Sequence, residues 1–138
     1  MLWRFAAVPS AVPEARGVTR AAMRGLCRDG DLVSAILLCV TEAVTNVVMH
    51  AYGNGGDGDF ELEARRPDGF VCIYVRDRGI GMRPRTDSPG LGLGLPLIGQ
   101  LSSDFSVRHR GDGPGTEIAM RFELPVKPTG ERGSPAPG

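Results

Sequence analysis

The sequence predicts a two-layer α+β sandwich, with helices on one face of a mixed, mostly antiparallel sheet, on three observations. Two stretches with helical periodicity come early, two stretches of strict apolar–polar alternation follow, and the later strands are joined by tight turns instead of long crossovers. The resulting order is β-α-α-β-β-loop-α-β-β. It excludes a doubly wound parallel sheet, which needs a helix between successive strands.

Each element has a local cause. Leu2 to Val8 reads as a strand with Trp3 and Phe5 on one side. Ser10 is a candidate N-cap, and Pro13 with Glu14 suits a first turn, so a helix is expected from Ala11 to about Cys27. Arg28 to Asp31 is a turn in which Asp31 can cap a second helix, roughly Asp31 to Ala51, which Gly53-Asn54-Gly55-Gly56 ends. Phe60, Leu62 and Ala64 then alternate with Glu61, Glu63 and Arg65 as a half-buried strand. Pro67-Asp68-Gly69 is a tight turn into a returning strand, Phe70 to Asp77. Gly79 to Gly94 is a loop with five glycines and two prolines, followed by a short helix from Leu95 to Ser102. A second hairpin, Phe105 to Arg110 with Thr116 to Leu124, completes a domain expected over residues 1–124. Pro125 to Gly138 holds four prolines and three glycines and is expected to be a disordered tail.

Composition narrows the function. Of 138 residues, 41% are hydrophobic, enough for a core. Sixteen basic residues balance sixteen acidic ones, which demotes binding of nucleic acid through long-range attraction. The longest uninterrupted apolar run, Ala35 to Val40, is too short to span a membrane, and no secretory leader is expected after Met1. Cys27, Cys39 and Cys72 are an odd count without CxxC spacing, which argues for a reducing cytoplasm and against a disulfide framework or zinc site. Cys39 and Cys72 are most simply core residues, and His109, between Arg108 and Arg110, reads as surface. Asn54, Asp57, Asp59 and Glu61 do not have EF-hand spacing.

Three segments carry chemistry. On the second helix Thr41, Glu42, Thr45, Asn46 and His50 share one side, with Glu42, Asn46 and His50 in a column four residues apart. This is either an amphipathic helix facing water or a set of short polar groups suited to holding a ligand and a metal. Asp77 ends an apolar strand face and precedes Gly79 and Gly81, which reads either as a strand running into a turn or as a carboxylate in a pocket. Gly90-Leu91-Gly92-Leu93-Gly94 runs into a helix start, either as a mobile loop or as a cradle for phosphate. It is neither a Walker A motif nor a dinucleotide fingerprint.

Taken in order, Glu42-x-x-x-Asn46, Asp77-x-Gly79-x-Gly81, Gly92-x-Gly94-Leu95 and Gly115-Thr116 resemble the motifs of the GHKL ATPases, the histidine-kinase-like superfamily. Thr41 to Asn46 with His50-Ala51-Tyr52 resembles one branch, the bacterial anti-sigma-factor serine/threonine kinases, and the likeness covers roughly Leu2 to Leu124. That resemblance implies a sandwich of the GHKL type that binds ATP with Mg²⁺. By the same resemblance Asn46 holds Mg²⁺, Glu42 is the general base, Asp77 accepts from the adenine amino group, and Thr116 supplies a hydroxyl near the base. Gly79, Gly81, Gly92 and Gly94 match the loops around base and phosphates, with His50 and Leu95 beside them. Guanine presents an acceptor where adenine presents its amino group, so Asp77 is expected to exclude GTP. The likeness is incomplete: the loop between Gly81 and Gly92 is short, and Met49 and His50 stand where histidine kinases often have a lysine and an aromatic. No phospho-acceptor histidine domain is expected before the fold, so a sensor histidine kinase is not the expected function.

The function implied is a kinase that binds a sigma factor and phosphorylates a small antagonist protein. Neither a nucleic acid nor a membrane is an expected partner, and the family includes homodimers. The alternative is a nucleotide-dependent regulator that sequesters a partner without phosphotransfer. A stand-alone ATPase subunit fits less well, because such machines use further domains for coupling.

Overall fold

A computed structural model describes residues 1–52, 58–79, 94–111 and 113–125. The elements run β1 (Leu2–Ala6), α1 (Ala11–Leu26), α2 (Gly30–His50), β2 (Asp59–Arg65), β3 (Phe70–Asp77), α3 (Gly94–Leu101), β4 (Asp104–His109) and β5 (Thr116–Glu123). They form one five-stranded sheet in the order β1-β2-β3-β5-β4, and every pairing among the described residues is antiparallel. This is the expected sandwich with a more uniform sheet than a mixed one, because each connection between adjacent strands reverses direction.

The sheet's inner face is built in transverse rows. Trp3, Leu62, Val75, Ile118 and Val107 are register partners across all five strands, and Ala64, Ile73, Met120 and Phe105 make the row beside them. The helices cover these rows, and Ile36, Cys39, Val40, Ala43, Val44 and Val47 of α2 join the same core as Ile98 of α3 and Met23 of α1. The alternation of β2 and the helical period of α2 thus meet in one interior, each burying the apolar side that its period creates.

The outer face carries charge in place of apolar groups. Arg4, Glu61, Arg76, Glu117 and Arg108 are register partners on successive strands, so the sign alternates across the sheet. Ion pairs follow: Arg4–Glu61 at 2.9 Å, Arg76–Glu117 at 2.7 Å and Arg108–Glu117 at 3.0 Å, with Arg76 also reaching Glu63 at 2.9 Å. Opposite charges facing each other across strands stabilise this register.

Several expectations need correction. Asp29, not Asp31, caps α2: its backbone is extended, as an N-cap requires, and its carboxylate accepts from Asp31 N at 3.0 Å and Leu32 N at 3.1 Å. Ser10 stands before α1 in a helical conformation and makes no side-chain cap; Ala11 N and Val12 N donate to the Val8 and Pro9 carbonyls instead. Cys72 is buried, but it sits with Tyr74 and Arg76 on the outer parity of β3 and is not part of the main core. Finally, Gly30–His50 is long and apolar enough by length and composition to cross a membrane, with mean hydropathy 2.0, a property that the six-residue run understates. Here its apolar side is the centre of the core. The Gly53-Asn54-Gly55-Gly56 stretch after α2 and the residues beyond Pro125 lie outside the described residues.

Candidate functional site

The third row of the inner face changes character. Phe5 pairs with Phe60, Phe60 with Asp77, and the β3–β5 register carried one step past Arg76–Glu117 sets Thr116 beside Asp77. Phe5 and Phe60 stack at 5.5 Å, whereas Asp77 and Thr116, both 1% exposed, continue the row with polar groups. An apolar sheet face that ends in a buried carboxylate and a buried hydroxyl is costly unless something meets them.

The Asp77 carboxylate is only half satisfied. Its Oδ1 accepts from Gly79 N at 2.9 Å, a local turn of the kind Asp favours. Its Oδ2 is buried without a hydrogen-bond partner among the described residues. Burial pushes the Asp77 carboxyl above its ordinary value, against the opposing pull of the Gly79 and Thr116 N–H groups and of Arg110.

Glycine is required on both sides of Asp77. A Cβ at Gly79 would stand 1.8 Å from the Ala51 carbonyl oxygen, so the exit of β3 lies directly on the end of α2. Gly115 has φ +125°, and a Cβ there would stand 2.1 Å from the Asp77 carbonyl oxygen. Sequence reading notes both glycines but gives no sign that each approaches a backbone from another element.

On α2 the column is graded in depth. Asn46 is 6% exposed, while Thr41, Glu42, Thr45 and His50 are half-buried. The stripe is therefore not a solvated face, and Thr41 turns its hydroxyl back to the Leu37 carbonyl at 2.8 Å. Asn46 Nδ2 is a second buried polar atom without a partner among the described residues. Cys39, just before Glu42 on the helix, has its thiol pushed up to about 11 by burial and by the Glu42 charge, which makes it a packing group and not a nucleophile. Gly94 opens α3, whereas the Leu95 side chain, Gly81 and Gly92 lie outside the described residues.

The described residues also form a cleft of about 300 Å³, bounded by Arg4, Tyr52, Asp59, Arg76, Arg78 and Arg110 among others. Arg4 and Arg76 place it at the outer face of the sheet, and neither Asn46, Asp77 nor Thr116 lines it. The cleft is therefore separate from the polar row. No cluster of three or more His, Cys, Asp or Glu suited to a metal occurs among the described residues.

Residues 5–122 match the family described as the histidine kinase-like ATPase domain. An anti-sigma F factor of Clostridium botulinum is 40% identical over 107 residues, covering 70% of this chain and 74% of that protein. An anti-sigma F factor of Bacillus licheniformis is 30% identical over 105 residues, covering 68% and 71%. Among solved structures, the RsbU and RsbW domains of Rv1364c from Mycobacterium tuberculosis superpose with TM-score 0.69 at 23% identity, over 90% of this chain and 32% of that one. This last likeness is one of fold.

Proposed function

The chain belongs to the histidine kinase-like ATPase family and, within it, to the anti-sigma F factors, and from that premise we propose that it is an ATP-dependent protein serine/threonine kinase. It binds a sigma factor and phosphorylates a small antagonist protein in the cytoplasm, where Cys27, Cys39 and Cys72 stay reduced. The observation that carries this reading is the pair of buried, unpartnered atoms, Asp77 Oδ2 and Asn46 Nδ2. A folded chain leaves such groups unsatisfied where a ligand completes them.

Asp77 Oδ2 is the acceptor for the adenine amino group, and the turn to Gly79 keeps Oδ1 occupied so that the carboxylate presents one free oxygen. Thr116 flanks the base from β5 and His50 stands at the end of α2, while the family likeness assigns Gly79, Gly81, Gly92, Gly94 and Leu95 to the base and phosphates. Asn46 fits Mg²⁺: a half-turn of its amide presents oxygen where the unpartnered nitrogen stands, and Mg²⁺ needs few protein ligands when phosphates and water supply the rest. Held there by Asn46, Mg²⁺ would offset the negative charge of the phosphates.

Glu42 lies one helical turn before Asn46 and is half-buried, which suits a general base. Its carboxylate takes the proton of the attacking serine or threonine hydroxyl; the hydroxyl oxygen bonds to the γ-phosphorus, and the bond to the ADP oxygen breaks. A regulator that only sequesters its partner has no use for a base at this position. The test is transfer of label from γ-labelled ATP to a panel of small antagonist proteins, wild type against Glu42→Ala. Loss of transfer in the variant with ATP binding retained supports the kinase. Binding without transfer from wild type to any antagonist would establish the sequestering regulator instead.

A further inference from the structure

The hairpin ladder between β2 and β3 ends at the pair Phe60–Asp77, and its next step would place Asp59 opposite Arg78. At that step the Tyr52 hydroxyl stands between the strands: it accepts from Arg78 N at 2.9 Å and donates to the Asp59 carbonyl oxygen. A side chain from the end of α2 thus takes the place of a backbone ladder bond. The insertion is held from behind, because the Tyr52 ring occupies the space over Gly58, where a Cβ would come within 2.2 Å of it.

Arg78 is the residue between Asp77 and Gly79, so the bond from Tyr52 bears on the peptide that sets the Asp77 turn. Neighbouring Ala51 meets Gly79 directly, and the two contacts together lock the exit of β3 to the exit of α2. We propose that Tyr52 is a positioning residue for base recognition: by bridging Asp59 and Arg78 it spaces the ends of β2 and β3 and fixes the aim of the Asp77 carboxylate.

This inference rests on Asp77 reading the adenine base. With the ring still over Gly58 holding the strand ends apart, loss of the hydroxyl admits water between Asp59 and Arg78, and the Arg78 peptide and the Asp77–Gly79 turn move together. General loss of stability would weaken all nucleotides alike, whereas a misaimed carboxylate changes the ratio between them.

The test variant is Tyr52→Phe, which keeps the ring over Gly58 and removes both hydrogen bonds. In nucleotide-free protein, amide exchange at Arg78 should accelerate about tenfold or more, as expected for loss of its hydrogen bond. In titrations, ATP affinity should fall about tenfold while GTP binding barely changes, so the ATP-to-GTP ratio falls by about the same factor. Unchanged exchange overturns the bridge. Faster exchange with an unchanged ratio overturns its role in base recognition. A wild-type protein that binds no nucleotide overturns the proposed function, and with it this role, and is distinguished because the exchange difference between wild type and variant persists.

Discussion

Asp77 Oδ1 accepts the Gly79 N–H at 2.9 Å while Oδ2 of the same carboxylate is buried with no partner among the described residues. The turn that ends β3 therefore does two things at once: it fixes the carboxylate and leaves one of its oxygens unused. The cost appears as a raised carboxyl pKa, caused first by burial.

That cost has a pH signature. The native state holds the Asp77 proton to higher pH than the unfolded chain does. Unfolding free energy therefore falls as pH rises above the ordinary value of 3.8, until the carboxyl is ionised in both states. Asp77→Asn cannot titrate and lacks this decline. Denaturant unfolding between about pH 4 and pH 7 should show the variant gaining stability relative to wild type as pH rises. A stability difference that stays constant over this range contradicts the assignment.

The outer face behaves in the opposite sense. For Glu63 the hydrogen bond from Arg65 comes first and outweighs burial; for Glu117 burial raises the carboxyl but Arg76 and Arg108 more than offset it. Both carboxyls lie below their ordinary value, so the stability they contribute is present above the ordinary value of 4.5 and is lost as pH falls through the folded one. Arg76→Met should cost about 1 kcal/mol at neutral pH, less in high salt, and progressively less on acidification. Equal losses at pH 7 and pH 3 would show that the variant disturbs packing instead.

Glycines separate by what surrounds them. Gly115→Ala places a Cβ against the Asp77 carbonyl at a φ of +125° and should cost more than about 2 kcal/mol. Gly17, exposed within α1, has nothing within 4 Å of its Cβ position, and Gly17→Ala should stabilise by about 0.5–1 kcal/mol. Thermal melts of the two variants should therefore move in opposite directions.

Asn46→Ala removes a buried amide that already lacks a partner for its nitrogen. Stability should stay within about 1 kcal/mol of wild type, because the amide nitrogen has no hydrogen bond among the described residues to lose. The Mg²⁺ dependence of nucleotide binding should disappear. Undiminished Mg²⁺ dependence in this variant would remove Asn46 from the metal site.

The parts of the fold that depend on local periodicity were legible. The alternation of Phe60, Leu62 and Ala64 and the polar column of α2 both correspond to observed faces. Caps were less legible, because Asp29 and Asp31 are two residues apart and only backbone conformation decides which one accepts. At the site, Asp77 meets the Gly79 and Thr116 N–H groups, and the sequence places Thr116 in a separate motif without showing that contact. The sequence shows Tyr52 only as one letter after His50-Ala51. Its role depends on the open end of the β2–β3 hairpin, where Asp59 comes opposite Arg78, lying against the end of α2, a contact between elements that no local pattern shows. The approach of Gly79 to Ala51 and of Gly115 to Asp77 is hidden for the same reason.

The central claim is that the polar row of the sheet reads adenine through Asp77. Calorimetric titration with ATP and with GTP, each with and without Mg²⁺, tests it on wild type and on Asp77→Ala. The prediction is Mg²⁺-dependent ATP binding, no comparable GTP binding, and a loss of about 1.5–3 kcal/mol in ATP affinity for the variant. Equal affinity for ATP and GTP, or ATP binding that is indifferent to Asp77, would contradict it.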